Sequence, residues 1–513
     1  MLSKSYARIY CQKNKAKERL ATTDSSCRGL NFNPNPAKSL YTLFPLPLSY
    51  IQIRIKHSPT RALYRTNCLL LLEVDGMQRD WKIAWGSVLI GVMFLTLSLP
   101  YLVVSAELSA EWIVTFDDIS DDELYSVEVV DDGYVLAGIT NSSGFGQFDV
   151  WLIKTDSSGA MEWNRTYGGS LNDWAYSLVA TSDGGYAFAG STNSFGVDSA
   201  DFWLVKVDSF GNLEWNQTYG GHDYDSCRSL VTTSDGGYVL LGYSAPYGST
   251  RSPYDTGSAD VWLVKVDSVG ILEWNQTYGG SGSESVSTVI ETTDGGYALA
   301  CSTTSSGFGS ADFWMIKVDS FGNIEWNQTY GESGTEYVNS LVATFDGGFA
   351  LAGTTTSFGA VSADVWLVKV DSVGILEWNQ TYGGPLADYC GSMITSSDDD
   401  YVLACITQPP TFGDGVFWLV ETDSLGNLKG NQTYGVSAHH SHTSLVATAD
   451  GSYILGGSTR DNMGNRDFWL AKIGETDTGS ELLIYLSIPI LVVVLMFIAL
   501  LIYRRTKNSQ NKS

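Results

Sequence analysis

The sequence predicts an all-β chain folded as a seven-bladed β-propeller of four-stranded repeats of about 52 residues, and three recurring phrases carry that expectation. Asp-Phe/Val-Trp-Leu returns with its tryptophan at Trp151, Trp203, Trp262, Trp314, Trp366, Trp418 (as Val-Phe-Trp-Leu) and Trp469. The aromatic of an Asp-Gly-Gly-Tyr turn keeps phase with it at Tyr134, Tyr186, Tyr238, Tyr297, Phe349, Tyr401 and Tyr453. A Glu-Trp pair follows at Trp112, Trp163, Trp215, Trp274, Trp326 and Trp378, with Gly430 in the seventh place. The spacings between the first set are 52, 59, 52, 52, 52 and 51, room for four short strands and the turns between them.

In the second unit the strands are expected at Tyr176–Thr181, Tyr186–Ser191, Phe202–Asp208 and Leu213–Tyr219. Ser182-Asp183-Gly184-Gly185 and Ser209-Phe210-Gly211-Asn212 supply the positive φ angles that tight hairpins demand, and a Gly/Ser-rich loop joins the middle strands. β-branched and aromatic residues fill the runs, and no capped helix-period stretch interrupts them. A β-solenoid is the competing architecture, but its rungs are shorter and it needs distinct end caps.

The copies also test one another. Lys154, Lys206, Lys265, Lys317 and Lys369 each precede a glutamate by eight residues (Glu162, Glu214, Glu273, Glu325 and Glu377), and in the sixth unit the signs exchange together as Glu421 and Lys429. A paired reversal requires the two side chains to meet across a hairpin. An exposed pair contributes only about 0.2–1 kcal/mol, so it reports register more than stability. The body opens on a fourth strand with no preceding three (Glu111-Trp112, Thr115-Phe116) and ends on three strands with no fourth (Asp467 to Lys472). Joining them completes blade seven, faces Lys472 with Glu111 and hides two open strand edges.

That closure resembles the closure of WD-repeat propellers. Asp-x-x-Gly-x-x-x-Trp, as in Asp208 to Trp215, resembles the tryptophan-docking repeat of quinoprotein propellers, with one residue fewer. The chain is also similar to the Gly-Gly-Tyr-rich repeats of archaeal and bacterial surface proteins. The resemblance implies that the strand before Asp-Gly-Gly-Tyr lines a central channel and that the Glu-Trp strand is outermost. Six residues after the closing aromatic of each outer strand stand Asp122, Asp173, Asp225, Glu284, Glu336, Asp388 and His440, which on that geometry ring one mouth of the channel. Such a ring would take a cation, Ca2+ being the cofactor it suits, or dock a cationic or hydroxyl-rich ligand. The alternative is that each acid caps its own turn.

Other candidates are fewer. Blade three carries seven extra residues in the loop on that same face, where Tyr247, Arg251 and Tyr254 suit a sugar or peptide. His439, His440 and His442 could hold a metal, with no fourth ligand in view. Glycosylation sequons recur in phase at Asn164, Asn216, Asn275, Asn327, Asn379 and Asn431, and Asn141 adds one in a loop; duplication of a strand that favours Thr would leave the same pattern. Cys390 and Cys405 flank the Asp398-Asp399-Asp400 turn symmetrically, which leaves a disulfide and two free buried thiols both open. There is no Gly-x-Ser-x-Gly, His-Glu-x-x-His or phosphate loop, so no catalytic residue is assigned.

Charge sets the remaining limits. The 513 residues carry 30 Lys+Arg against 56 Asp+Glu, a net charge of −26 that argues against nucleic acid as a partner. Residues 1–106 hold 14 of the basic residues and 5 of the acidic ones, while 107–481 hold 12 and 51. Residues 1–76 read as a disordered extension ahead of a start at Met77, and 77–106 as a signal peptide or signal anchor built on the apolar run Ile83 to Val104. The propeller occupies 107–473, a linker 474–481, a transmembrane helix 482–503 and a cytoplasmic tail 504–513, whose Arg504, Arg505 and Lys507 belong inside. The expected function is that of a single-pass surface module, not an enzyme, that binds a cell-surface protein or glycan through its loop-rich acidic face. An exported enzyme acting on glycans and a structural surface-layer subunit are the alternatives.

Overall fold

The second and third strands of each repeat read as nearly continuous apolar runs because both of their faces are covered by neighbouring blades. Tyr186–Thr192 and Asp201–Val207 are buried at every residue, whereas Leu213–Tyr219 exposes four of its seven. The computed structural model describes residues 10–11, 68–69, 108–116, 120–197, 199–245, 259–359, 362–396, 399–408, 415–461 and 463–475, the side chains of 10–11, 68–69, 436–441 and 475 excepted. The chain divides into two units, Met1–Val104 and Ser105–Ser513. In the first, Tyr10–Cys11 pairs antiparallel with Cys68–Leu69. The second holds a seven-bladed propeller.

Blades one to five are separate four-stranded antiparallel sheets. In blade two the strands are Asp173–Ala180, Tyr186–Thr192, Asp201–Val207 and Leu213–Tyr219, so the first begins three residues before its expected start and the last matches residue for residue. Blades six and seven share one sheet, because the single strand Leu428–Ala447 serves as the outer strand of one and the inner strand of the other. That junction reads Gly435-Val436-Ser437-Ala438 and lacks the Gly-Gly pair found in four of the five before it, the other reading Gly331-Glu332-Ser333-Gly334. Ring closure is as expected: Leu108–Phe116 pairs with Arg466–Glu475, and Lys472 lies 3.0 Å from Glu111. The first strands contact one another in succession around the ring and therefore line the channel. Both tight turns of a blade lie on one face; the Gly/Ser-rich loop and the connection to the next blade lie on the other.

The lysine–glutamate pairs form, but the lysines are buried and each holds a second carboxylate. Lys206 sits 2.8 Å from Glu214 and 2.9 Å from Asp183 of the Asp-Gly-Gly turn, and donates to the Val207 carbonyl as well. Burial disfavours its charge, yet the two acids hold its pKa above the ordinary value. The same arrangement recurs at Lys154, Lys265, Lys317 and Lys369. In blade six the transposed Lys429 reaches Asp400 at 2.6 Å.

Blades interlock by shape as well as charge. The tyrosine closing the outer strand of each of blades one to five donates to the carbonyl of a turn glycine in the next blade, as Tyr167 does to Gly211 at 2.6 Å. Gly211 is required there twice over: its φ is 75°, and a Cβ would stand 2.9 Å from the Trp163 ring. Deeper in, a third-strand phenylalanine presses on a second-strand glycine of the following blade. A Cβ at Gly138, Gly242, Gly353 or Gly457 would come within 2.7 Å of a ring carbon of Phe468, Phe202, Phe313 or Phe417. Where the third strand offers the smaller Val261 or Val365 instead, the facing residue is Cys301 or Cys405 in the same buried cluster. These cysteines fill volume.

Candidate functional site

The first strand of each of blades one to six carries a β-bulge, and the extra residue is aimed off the ladder. Register shifts fall between Leu124 and Ser126, Ala175 and Ser177, Cys227 and Ser229, Val286 and Thr288, Val338 and Ser340, and Cys390 and Ser392. The hydroxyl just past the bulge fixes the next blade: Leu178, Leu230, Val289 and Met393 donate their N–H groups to Ser126, Ser177, Ser229 and Ser340 at 3.0–3.2 Å. The bulged residues are Tyr125, Tyr176, Arg228, Ser287, Asn339 and Gly391. Apart from the two tyrosines of the first two blades, no two of these positions carry the same residue.

On one side these residues form an unbroken arc. His442 meets Tyr125 edge-on with centroids 4.5 Å apart, Tyr125 meets Tyr176 at 4.9 Å, and the Arg228 guanidinium lies 4.1 Å above the Tyr176 ring. Tyr243 backs the same guanidinium at 5.8 Å. Burial pushes the phenols of Tyr125 and Tyr176 up, so both stay neutral. Opposite the arc the residues are short: Ser287, Asn339 and Gly391. A second departure lies two residues past the bulge serine, where Glu128 stands in a series otherwise made of Val179, Val231, Ile290, Val342, Ile394 and Val446. Burial raises the pKa of Glu128 to about 7, against the hydrogen bond it receives from the backbone of Ala180.

The acids expected to ring the mouth begin the first strands, and Asp122, Asp173, Asp225, Glu284, Glu336 and Asp388 are each at most 3 % exposed. Several of their oxygens are engaged within the loops, while Asp225 Oδ1 and Glu284 Oε2 are buried with no hydrogen-bond partner among the described residues. Asp173 accepts from Thr192, from Ser194 at 2.7 Å and from the Gly169 N–H at 2.8 Å; Glu336 and Asp388 repeat parts of this with Thr355 and Gly384. What the sequence reading missed is a second acid opposite each, the aspartate of Asp-x-Trp. Asp149 accepts from the N–H groups of Phe145 and Gly146, and its other oxygen shares the space beside Gly168 with Asp173: a Cβ there would lie 1.9 Å from Asp149 and 2.8 Å from Asp173. Gly220, Gly279, Gly331 and Gly383 separate the equivalent pairs. At the sixth junction both acids are replaced, by Val416 and His440. That joint exchange was the available sequence signal.

The remaining candidates divide by position. Tyr247, Arg251 and Tyr254 lie outside the described residues, as do the side chains of His439 and His440, and no metal-ligand group of three or more His, Cys, Asp or Glu is found among the described residues. A groove of about 690 Å3 opens between blades two and three, lined by Asp223, Trp262 and Asn275 among others. Asn164, Asn216, Asn275, Asn327, Asn379 and Asn431 are exposed, and each accepts a hydrogen bond from the indole N–H of the neighbouring third-strand tryptophan at 3.1–3.4 Å. This gives their phase a structural cause. Asn141 is exposed in its loop. Cys390 and Cys405 are register partners across the first hairpin of blade six, buried, with both thiols free. Residues 77–106 and 482–503 lie outside the described residues, among which no helix is long and apolar enough to cross a membrane.

These groups set the pH range of the fold. Hydrogen bonding from Thr181 and Lys206 lowers Asp183 to about 2, and Thr292 does the same for Asp294, so stability rises with pH while the unfolded carboxylates still hold protons, up to about pH 4. Glu128 at about 7 and Asp225 at about 6, the latter raised by burial and then by Asp201, act oppositely: the native state keeps their protons longer, and stability falls as pH climbs through that range. Urea midpoints taken from pH 2 to 8 should peak between the two limbs, and Glu128→Gln should flatten the upper one. A midpoint that rises steadily to pH 8 would contradict this.

No family model matches the chain. A stretch of 165 residues is 27 % identical to the regulatory protein FlaEY of Caulobacter vibrioides, covering 28 % of this chain and only 17 % of that protein. Among solved structures, the Pan2 WD40 domain of Neurospora crassa is similar at a TM-score of 0.43 and 11 % identity, covering 72 % of this chain and 98 % of that one. Sqt1 from Chaetomium thermophilum is similar at 0.41 and 13 %, covering 70 % and 86 %. The chain is, by its own sheet topology, a seven-bladed β-propeller whose repeat symmetry breaks at the channel wall.

Proposed function

We propose that this protein is a membrane-anchored binding module that holds a cell-surface glycan or protein at the mouth and lumen of its channel. The observation that carries the reading is the arc. Duplication delivers identical residues to every blade, and a purely structural position would keep them. Divergence at the bulges of the channel-lining strands, which sets large aromatic and basic groups on one side and short ones on the other, is what one asymmetric ligand requires. The ends of the propeller support the anchoring. Leu108 and Glu475 are register partners on the turn face, and seven residues beyond Glu475 begins the 22-residue apolar run Leu482 to Tyr503. A bilayer on that side leaves the loop face pointing away from it and open to a ligand.

The test is binding of the full-length protein, purified in detergent, to an array of neutral and acidic glycans, beside the variant Tyr125→Ala/Tyr176→Ala. Capture that falls at least tenfold in the variant while its unfolding midpoint holds would support the channel as the site. Equal capture by both would move recognition to the blade-three insertion at Tyr247, Arg251 and Tyr254.

A further inference from the structure

We infer that Arg228 is an anion-recognition group and that the ligand presents it with a carboxylate carried on a sugar. The inference rests on the channel being the binding site and names what binds there.

Arg228 is the one charged residue among the six bulge positions. Elsewhere in the propeller Lys154, Lys206, Lys265, Lys317, Lys369, Lys429, Lys472 and Arg466 rest on carboxylates, while Arg165, exposed on an outer strand, lies 5.7 Å from the Trp163 ring and donates to the Asn164 carbonyl. Arg228 has no carboxylate within ion-pair distance among the described residues, in a body where acids outnumber bases 51 to 12. Its surroundings are instead the rings and hydroxyls of Tyr176 and Tyr243, with Tyr125 beyond. Burial works against the charge there, but the surrounding tyrosine hydroxyls hold its pKa above the ordinary value, so Arg228 stays a cation, while burial keeps the phenols of Tyr125 and Tyr176 neutral. A half-buried guanidinium held against aromatic faces and left without a counter-charge is poised for an anion from outside.

The chemistry of that anion follows from the rest of the wall. A single guanidinium fork matches one carboxylate in bidentate fashion. The net charge of −26 repels a multiply charged phosphate more strongly than a singly charged acid. Tyr125 beside Tyr176 offers an aromatic surface for a pyranose ring, and on the other first strands the Ser287 hydroxyl and the Asn339 side-chain oxygen, whose amide N–H groups hold the Tyr337 and Cys390 carbonyls, are short polar groups suited to its hydroxyls. A uronic-acid sugar satisfies all of these at once.

The test is isothermal titration of the full-length protein in detergent with oligogalacturonate, with its methyl ester, with a sulfated glycan and with an acidic dipeptide. The expected result is binding of the acid form, at least tenfold weaker binding of the ester, and a further tenfold loss in Arg228→Gln that Arg228→Lys does not restore, since an ammonium lacks the fork. The acid-to-ester ratio in the unaltered protein keeps the test decisive even where Arg228→Gln fails to fold. Equal binding of acid and ester, preference for the sulfated glycan or the dipeptide, or no binding of the uronate would each overturn the inference. Binding of a neutral glycan that is lost in Tyr125→Ala/Tyr176→Ala and unchanged in Arg228→Gln would leave the channel as the site and remove only the carboxylate.

Discussion

A chain that begins at residue 117 should fail to close, while one that begins at residue 105 should fold as the full propeller does. The strand Leu108–Phe116 makes the last ladder of blade seven, pairing from Phe468 with Phe116 to Glu475 with Leu108. Its apolar side chains are shared between blades: Trp112, Val114 and Phe116 pack with Tyr134, Ile454 and Phe468, and Trp112 lies 5.8 Å from Tyr134. Each large side chain withdrawn from such a cluster costs about 1.5–3 kcal/mol. The same cut removes Glu111 from Lys472, removes the Leu108 carbonyl that Tyr434 bonds at 3.1 Å, and opens the edge of Arg466–Glu475 to strand addition. Against a native stability of about 5–15 kcal/mol, the combined loss leaves little or no closed ring. Size-exclusion chromatography and urea unfolding of the two chains would show it, the shorter one eluting as aggregate or unfolding at far lower urea. A peptide spanning 105–118 should restore the midpoint by supplying the missing strand. An unchanged midpoint in the shorter chain would mean that closure contributes little.

The second large effect is expected between residues 40 apart in sequence and in contact across a blade boundary. Phe313→Val should destabilise the propeller by about 2–4 kcal/mol, because the ring fills the gap above Gly353 and its loss leaves a cavity. Gly353→Cys alone should cost a comparable amount by overpacking, its Cβ arriving 2.7 Å from the Phe313 ring and 2.1 Å from the Tyr337 carbonyl. Together the two changes convert this boundary into the Val261–Cys301 and Val365–Cys405 type that the protein already uses. The double variant should therefore recover part of both losses, with a coupling of about 1–3 kcal/mol in a double-mutant cycle. Strict additivity would mean that the exchange across the repeats is accidental.

Within the repeats the sequence was informative wherever the interaction was short. Leu213–Tyr219 was read to the residue because its turn chemistry and its Trp anchor both lie within the same hairpin. The Lys206–Glu214 contact was legible from the reversal at Glu421 and Lys429, but Asp183, which joins it from the other hairpin of the blade, was not. The first strand was placed too late, at Tyr176 instead of Asp173, because a buried aspartate looks like a loop residue until Thr192 and the Gly169 N–H are seen to satisfy it. The mouth acids were legible as a series, but their neighbours Asp149 and its equivalents were not, since these come from the preceding blade.

Blade number, strand order, turn positions and the closing strand followed from the sequence alone, because a fold repeated seven times writes its local rules seven times and any one copy can be checked against the rest. Only the tertiary structure decided which residues face the channel. A β-bulge shifts the side-chain alternation by one residue, and nothing in a period-two pattern marks where the shift falls. That shift turns Tyr125, Tyr176 and Arg228 off the ladder and toward one another, so that residues 51 and 52 positions apart in the chain form one surface.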